Sequence, residues 1–372
     1  MKLHIFNPEH DLALAANQTN YTAPHAGRQL RNDLSFIPAL WADEGDLVLV
    51  DDIDDAYDKV RHLGGIAESP IYNKVEFITP MQLQEVFRTT MSVDSVHPWG
   101  WNKALVTKLK SIGCPEIMLP TPQTLENIRE VSSRQWAAGH LQTDVDYVVS
   151  TDALREAILQ RGKAVVKAPW SSSGRGVRYV AAEKGMRPAD NTLVGGSDME
   201  ATLKWAANII KHQGGVTVEP YYNKVRDFGM EFEVRDGKVI YRGLSLFETI
   251  KGAYSGNILA TEEEKEEMLA CHVSPQELET IRQNIIGKME SAIRSIYSGP
   301  FGIDMMVCCD GEGNTFVNPC VELNLRRTMG HVALALGVSE KASRHIMRVD
   351  YDGNRYHLRV LPGKPSENAP TH

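Results

Sequence analysis

Apolar runs that end in polar residues mark the strands expected near the N-terminus. Residues 3–6 and 47–50 are such runs, and Asp51 and Asp52 follow the second one directly. Runs of this length with polar residues at their ends are typical of a parallel α/β layer. We therefore predict a small three-layer α/β domain over residues 1–95.

Helical periodicity begins just after this region. Apolar residues at 105, 106, 109 and 112 lie on one face of a helix that Asn102 is placed to cap and Gly113 to end. A second helix is predicted over residues 152–160.

A compact α+β unit is predicted over residues 163–222. Strands at 164–168 and 177–180 flank a loop rich in glycine and serine, and 216–218 is the closing strand. Ser197 and Glu200 have the spacing of a capping box, which predicts a helix from there to about residue 211.

A hairpin with a short turn is predicted at the start of residues 226–345. Strands at 232–234 and 239–241 flank Asp236-Gly237. This dipeptide between apolar strands is a strong signal for a two-residue turn.

A second hairpin has a longer turn. Strands at 303–309 and 315–321 flank residues 310–314. The acidic stretch 261–270 predicts a solvated helix before it, and residues 365–372 have the composition of a disordered tail.

Composition and charge exclude several classes of protein. The 372 residues carry a formal net charge of −8 and contain no block of five basic residues, which argues against nucleic acid as a main partner. No apolar run reaches the ~18 residues of a membrane span, and the N-terminus lacks the pattern of a signal peptide. The five cysteines form no C-x-x-C pair, so we expect reduced thiols in a cytoplasmic protein.

A lysine before a glycine- and serine-rich loop is the first candidate nucleotide feature. Lys167 lies on a strand of apolar residues, and the loop 171–176 follows it. Backbone N–H groups of such a loop approach phosphate oxygens closely, and the lysine supplies positive charge. An ordinary hairpin loop with a solvent-facing lysine is the alternative. The common motifs G-x-x-x-x-G-K-S/T and G-x-G-x-x-G do not occur.

Three oxygen-bearing side chains are predicted to meet on the second hairpin. Glu322 and Asn324 are two apart on one strand and therefore share a face, and Asp304 lies roughly opposite on the partner strand. Carboxylate and amide oxygens suit Mg²⁺. The alternative is a solvent-facing polar stripe. We favour a metal, because the apolar neighbours indicate a buried hairpin, where a carboxylate without a partner is costly.

A strand that runs into an acidic and aromatic segment is a candidate adenine hinge. Residues 216–218 lead into Glu219, Pro220 and Tyr221. The backbone of such a hinge can bond the adenine edge while Glu219 accepts from the exocyclic amine. An ordinary strand end fits the same pattern equally well.

The order of these features resembles the ATP-grasp superfamily. A lysine-bearing strand with a glycine-rich loop, a V-E-x-Y hinge and a late hairpin with D…E-x-N follow one another, and Trp101-Asn102-Lys103 before a helix matches as well. The resemblance covers residues 97–345. It implies a multidomain protein of the α/β and α+β classes, with an ATP-grasp fold after a Rossmann-like pre-ATP-grasp α/β domain.

The resemblance also implies how the chain divides. The expected units are a pre-ATP-grasp domain at 1–95, an N-terminal lobe at 96–225 with a small lid subdomain at about 163–222, a C-terminal lobe with the metal site at 226–364, and the tail at 365–372.

Roles for individual residues follow from the same resemblance. The residues it implies for ATP binding are Lys103, Lys167, Ser172, Ser173, Gly174, Gly176, Glu219, Tyr221 and Asp227. Glu231 is the alternative to Asp227 as the ribose-facing acid. Asp304, Glu322 and Asn324 would coordinate Mg²⁺, with Mn²⁺ as a substitute. Lys167 and Arg326 are the implied catalytic residues, and loop 171–176 would close over the triphosphate.

Substrate contacts are expected from both ends of the chain. The predicted residues are His10, Arg28, Arg326 and Arg327. The first two follow the first strand, and ligands bind at such strand ends in open α/β sheets; ordinary loop residues are the alternative. Many ligases of this superfamily carry an arginine two residues before the first metal aspartate, where this chain has Gly302. Arg326 or Arg327 would then substitute, or the acceptor chemistry differs.

The reaction implied by the resemblance is that of an ATP-dependent carboxylate–amine ligase. The γ-phosphoryl group passes to a substrate carboxylate, and an amine attacks the acyl phosphate, so that ADP and phosphate are released. A small-molecule kinase on the same scaffold and a non-catalytic ATP-binding protein are the alternatives. The expected partners are small carboxylates and amines, without nucleic acid or membrane. The sequence leaves the substrates and a homo-oligomeric state open.

Overall fold

A computed structural model of the protein describes residues 1–64, 75–89, 93–171, 176–182, 198–250, 253–337 and 345–362. The predicted phosphate-binding residues Ser172, Ser173 and Gly174, the predicted cap Ser197 and the predicted tail at 365–372 lie outside these ranges.

Four parallel strands form the sheet of the N-terminal domain. They lie in the order β3-β2-β1-β4 and comprise β1 (Lys2–Ile5), β2 (Leu47–Leu49), β3 (Glu76–Ile78) and β4 (Ser95–Pro98). The helices between them are α1 (His10–Ala16), α2 (His25–Asp33), α3 (Ile53–Gly64) and α4 (Pro80–Thr89), with a 3₁₀ turn at Ile37–Leu40. Parallel strands need crossover connections, usually helices, and the predicted α/β layer is confirmed.

The N-terminal sheet extends past residue 95, where the sequence predicts the end of this domain. β4 pairs with β1 along its whole length. The next helix, α5 (Lys103–Ser111), packs Leu105 and Leu109 into the same core as Leu3. The side chain of Asn102 accepts a hydrogen bond from Leu105 N at 3.0 Å, which is the predicted N-cap.

A second sheet, of four antiparallel strands, lies in the middle of the chain. Its order is β5-β8-β6-β7, with β5 (Asp146–Val148), β6 (Lys163–Lys167), β7 (Val177–Ala181) and β8 (Val216–Pro220). The helices of this segment are α6 (Pro122–Val131), α7 (Arg134–His140), α8 (Thr151–Arg161) and α9 (Met199–Gln213), after a 3₁₀ turn at Glu116–Met118. α8 and α9 bury Leu154, Ile158 and Leu203 against Val166 and Val218 of the sheet.

The start of α9 differs from the prediction. Asp198 is its N-cap, and the Asp198 side chain accepts from Glu200 N at 3.4 Å. The predicted capping box from Ser197 to Glu200 is therefore wrong by one residue. An aspartate caps a helix as well as a serine does, and here it is one position closer to the first turn.

A third sheet, of seven antiparallel strands, carries the C-terminal part of the chain. The strands are β9 (Asn223–Arg235), β10 (Lys238–Ile250), β11 (Ala253–Leu259), β12 (Gly299–Cys309), β13 (Thr315–Asn324), β14 (His345–Tyr351) and β15 (Tyr356–Pro362), in the order β13-β12-β9-β10-β11-β14-β15. The described residues of this part also form the helices α10 (Glu262–Leu269), α11 (Pro275–Ile293) and α12 (Met329–Leu336). Asp236 and Gly237 both have positive φ, 52° and 72°, as the predicted two-residue turn requires.

The two faces of this sheet differ in polarity. Along β9, Phe228, Met230 and Phe232 are buried and belong to the core that α11 covers with Ile285 and Met289. The residues between them point the other way, because strand side chains alternate. That opposite face carries Asp227, Gly229 and Glu231 on β9 and Asp304 on β12, which is paired with Gly229.

A separate core joins the N-terminal domain to the C-terminal strands. Phe6 and Val48 share it with Val332 of α12 and Met347 of β14. The contact brings the N-terminal domain close to the polar face of the seven-stranded sheet. Within the described ranges, no helix is both long and apolar enough to cross a bilayer.

Candidate active site

The predicted metal ligands meet on the β12–β13 hairpin. Asp304 is paired with Glu322 in the strand register, and Gly302 is paired with Asn324. Asn324 Nδ2 donates a hydrogen bond to Asp304 Oδ2 at 3.0 Å. The three oxygen-bearing side chains therefore lie on one patch of the polar face.

The electrostatics of Asp304 favour a cation beside it. Burial and, to a smaller extent, the nearby carboxylates of Glu322 and Glu231 together raise the pKa of its carboxyl group to about 8. A carboxylate in this position is costly without a compensating positive charge. Among the described residues no group of three His, Cys, Asp or Glu side chains can hold a metal. Two carboxylates and an amide remain suitable for Mg²⁺, which takes its other ligands from phosphates and water.

Lys167 reaches this hairpin from the second sheet. Its Nζ lies 2.6 Å from Glu219 Oε2 of β8 and donates to the backbone oxygen of Val321 at 3.2 Å. Val321 directly precedes Glu322 on β13. Lys167 and Glu219 are 6% and 5% exposed, so this charge pair is buried where the second and third sheets meet. The lysine thus lies beside the strand that carries two of the predicted metal ligands.

Arg134 also belongs to the cluster of Lys167, Glu219 and Glu322, although it was not among the predicted site residues. It is the first residue of α7, and its guanidinium donates to Glu322 Oε1 at 2.6 Å. It also donates to the backbone oxygen of Ala168 and to Ser171 Oγ, both at 2.7 Å. Arg134 therefore joins the end of the lysine strand to a predicted metal ligand.

The predicted adenine and ribose residues lie near one another. Tyr221 follows Glu219 on the chain and its ring makes an edge contact with Tyr179, with the ring centres 6.3 Å apart. Burial raises the pKa of Tyr179, and the charges of Asp227 and Glu219 contribute to the same shift. Asp227 accepts hydrogen bonds from Lys224 and Thr249, each at 2.7 Å.

Lys103 and Gly176 are the other predicted phosphate contacts that lie among the described residues. Lys103 begins α5 and forms an ion pair with Glu126 of α6, with Nζ and Oε1 2.5 Å apart. Gly176 is buried, and its backbone oxygen accepts from Ala168 N at 2.8 Å. A Cβ on Gly176 would lie 2.2 Å from the Cβ of Ser171, so only glycine fits this close approach.

Arg326 connects the β12–β13 hairpin to the N-terminal domain. It binds Asp11 of α1 through two nitrogens, with Nη2 2.7 Å from Oδ2, and Nη2 also donates to Asn324 Oδ1 at 2.9 Å. Burial alone would raise the pKa of Asp11, but the charge and hydrogen bonds of Arg326 lower it below its usual value. Asp11 therefore orients Arg326, a predicted catalytic residue.

The remaining predicted substrate residues separate into two groups. His10 is 1% exposed beside Asp11, with its Nδ1 3.3 Å from Asn102 Nδ2. Arg327 lies over the ring of Trp41, 4.2 Å from its centre, and burial lowers its pKa to about 10. Arg28 is exposed on α2 and donates to the backbone oxygen of Ala23 at 2.7 Å. His10 and Arg327 thus flank Arg326, whereas Arg28 lies on the surface.

The burial of His10 predicts a pH dependence of stability. Burial lowers the pKa of its imidazole to about 4, so His10 is neutral in the folded protein at pH 7. Unfolded histidine takes up its proton near pH 6.5, so stability is lost as the pH falls from about 6.5 to about 4, by up to about 3 kcal/mol. The free energy of unfolding of His10→Asn should therefore fall less between pH 7 and pH 4.5 than that of the wild type. Urea unfolding at the two pH values measures the difference. The exposed His62→Gln is the control; a wild-type pH dependence in His10→Asn contradicts the assignment.

Glu231 is buried deep in the polar face, next to two glycines. It is 2% exposed, and its Oε2 lies 2.9 Å from His331 Nδ1 of α12. A Cβ on Gly302 would lie 2.4 Å from Glu231 Oε2, and a Cβ on Gly330 1.9 Å from Oε1. Gly302, where many ligases carry an arginine, thus leaves room for the Glu231 carboxylate.

This packing predicts that Gly330→Ala destabilises the protein. Alanine normally stabilises a helix by about 1 kcal/mol over glycine, but here its methyl group would displace the buried Glu231 carboxylate. We expect a net loss of about 2 kcal/mol in the free energy of unfolding. Gly287→Ala in α11 is the matched control, since a Cβ there meets open space. Equal stabilisation of both variants in urea unfolding would show that Glu231 does not occupy this position.

Known proteins resemble this chain in fold. No protein-family model and no curated protein sequence matches it. The biotin carboxylase domain of 2-oxoglutarate carboxylase from Hydrogenobacter thermophilus, in complex with MgADP, ADP and bicarbonate, aligns over 94% of this chain and 74% of that chain, with 12% identity and a TM-score of 0.50. N5-carboxyaminoimidazole synthetase from Staphylococcus aureus, in complex with ADP, aligns over 95% and 83%, with 12% identity and a TM-score of 0.48. A protein described as ATP-grasp superfamily, from Archaeoglobus fulgidus, aligns over 98% and 100%, with 12% identity and a TM-score of 0.46.

Proposed function

We propose, on the premise that the chain has the ATP-grasp fold that its sequence predicts, that it is an ATP-dependent carboxylate–amine ligase. The observation that carries the proposal is the contact of Lys167 with the backbone of β13, one residue before Glu322. It joins the candidate phosphate-binding strand to the candidate metal ligands in one cleft. The biotin carboxylase domain of the same fold was crystallised with MgADP, and we place the nucleotide of this chain in the corresponding cleft.

The residues of the cleft suit a phosphoryl transfer to a carboxylate. Lys167 would neutralise phosphate oxygens, and Glu219 and the backbone near Tyr221 would hold adenine, with Asp227 at the ribose. Asp304, Glu322 and Asn324 would hold Mg²⁺, which supplies positive charge beside the phosphate oxygens. Catalysis of this kind is mainly positioning and charge stabilisation, so no side-chain nucleophile is required.

The substrate end of the cleft is proposed to lie around Arg326. Its guanidinium is held by Asp11 and Asn324 at the contact between the N-terminal domain and the hairpin. A carboxylate oxygen of the substrate attacks the γ-phosphorus, and ADP leaves. The amine then adds to the carbonyl carbon of the acyl phosphate, phosphate leaves, and the amine proton passes to solvent. Arg326 would orient the carboxylate or the departing phosphate.

An isotope experiment tests this proposal. A screen of amino acids and small acids with ATP first finds a carboxylate and an amine that together stimulate ADP release. The carboxylate is then labelled with ¹⁸O, and one label is expected in the released phosphate, because the bridging oxygen of the acyl phosphate leaves with phosphorus. Phosphate retained on a stable product would instead establish a kinase. ADP binding without turnover for any pair would establish a non-catalytic nucleotide-binding protein.

A further inference from the structure

A buried arginine is hydrogen-bonded to the carboxylate that the proposed metal ion would need as a ligand. Arg134 is 7% exposed, and its backbone N donates to the oxygen of Pro169 at 3.0 Å, which fixes the start of α7 against the segment after β6. Its Nη2 donates to Glu322 Oε1 at 2.6 Å. Glu322 is the more exposed residue of this pair, with 34% of its side chain accessible to solvent.

The other terminal nitrogen of the guanidinium, Nη1, contacts the segment after β6, where the phosphates are proposed to bind. Nη1 donates to Ala168 O and to Ser171 Oγ, one and four residues after Lys167. The guanidinium Nε is buried without a hydrogen-bond partner among the described residues. The planar fork of an arginine spans both sides at once, which a lysine ammonium does not.

Charges around this position explain why a cation is needed there. Glu322 faces Asp304 across the hairpin and Glu219 belongs to the neighbouring sheet, so negative charges come together where the second and third sheets meet. Lys167 compensates Glu219, and Arg326 compensates Asp11. Among the described residues, Arg134 is the cation that pairs with Glu322.

We propose that Arg134 is a positioning residue that holds Glu322 until a divalent cation binds. The inference rests on the proposed function, because it takes Glu322 as a metal ligand. Arg134 and the divalent ion compete for one carboxylate. Without the ion, Arg134 also shields phosphate oxygens from the negative charge of Glu322. The residue therefore weakens metal binding to the free protein and strengthens nucleotide binding in the absence of metal.

Two binding constants of Arg134→Gln test this inference. The affinity for Mn²⁺ without nucleotide is measured by electron paramagnetic resonance, and the affinity for ADP in EDTA by calorimetry. We expect the dissociation constant for Mn²⁺ to fall roughly tenfold, because a competing cation is lost. The dissociation constant for ADP should rise roughly tenfold, because the charge of Glu322 is no longer shielded from the phosphates. General damage to the fold would weaken both.

Arg129→Gln is the matched control. Arg129 lies nearby, 3.6 Å from the ring centre of Trp170, and its Nε donates to the oxygen of Leu14, so the variant removes the same charge without touching Glu322. Both constants should stay within about twofold of wild type. Arg134→Lys, which keeps the charge but loses the planar fork, should bind Mn²⁺ more tightly than wild type and less tightly than Arg134→Gln. If Arg134→Gln folds poorly, the comparison of Arg134→Lys with wild type still tests the inference.

The outcomes separate the inference from the proposed function. Wild-type protein that binds neither Mn²⁺ nor ADP overturns the proposed function. Wild-type protein that binds both, with constants that move together in Arg134→Gln or no more than in Arg129→Gln, overturns only the role of Arg134.

Discussion

Asp304→Asn is expected to abolish ATP turnover while leaving the protein at least as stable as wild type. The loss of activity should be about 10³-fold or more, because the variant removes a carboxylate from the proposed metal site. Stability should rise by about 1–2 kcal/mol without metal, since the substitution removes a negative charge that burial and neighbouring carboxylates disfavour. The Asn324 side chain can still donate to the new amide oxygen, as it does to Asp304 at 3.0 Å.

Turnover and urea unfolding are measured on the same preparations. Glu312→Gln, at the exposed tip of the same hairpin, removes an equal charge and should leave both quantities unchanged. Full activity of Asp304→Asn would remove Asp304 from the metal site. A large loss of stability would instead show that the carboxylate has a structural role.

Lys167→Met is expected to destabilise the protein and to abolish nucleotide binding. Its ammonium lies 2.6 Å from Glu219 in a buried pair. Removing one partner of such a pair leaves an uncompensated buried charge, which costs about 3–5 kcal/mol. Lys163→Met on the same strand is the control, because Lys163 is not among the buried charged residues and its loss should change little.

A double variant separates the two effects of Lys167. In Lys167→Met with Glu219→Leu, both charges are gone, so most of the lost stability should return. ADP affinity should remain at least about 100-fold below wild type, because the positive charge for the phosphates and the proposed contact of Glu219 with adenine are both missing. Unfolding in urea and calorimetry with ADP measure the two quantities. Recovery of both together would mean that the pair is structural only.

Local patterns in the sequence predicted the parts of the site that depend on neighbours along the chain. The turn at Asp236-Gly237 and the cap at Asn102 depend on a few consecutive residues, and both are found as predicted. Asp304 and Glu322 are separated by a turn, yet strand alternation was enough to place them opposite each other.

Contacts between distant segments could not be predicted in this way. Arg134 and Glu322 are 188 residues apart, and Asp11 and Arg326 are 315 apart. Periodicity and capping say nothing about which strand of one sheet meets which helix of another. The pairing of β4 with β1, across the predicted domain boundary at residue 95, is likewise a contact between distant segments.

One signal for Arg134 was present in the sequence. Ser133 is a good helix cap, and its side chain accepts from Trp136 N at 3.1 Å. The first turn after such a cap favours acidic residues, so a basic residue there is unfavourable unless another contact stabilises it. The structure provides that contact in Glu322.

A crystal structure with Mg²⁺ and a non-hydrolysable ATP analogue tests the central claim most directly. The account predicts the triphosphate between Lys167 Nζ and the β12–β13 hairpin, with the ion bound by Asp304 and Glu322 and the base next to Glu219. Nucleotide bound away from this cleft, or an ion that contacts neither carboxylate, would contradict it.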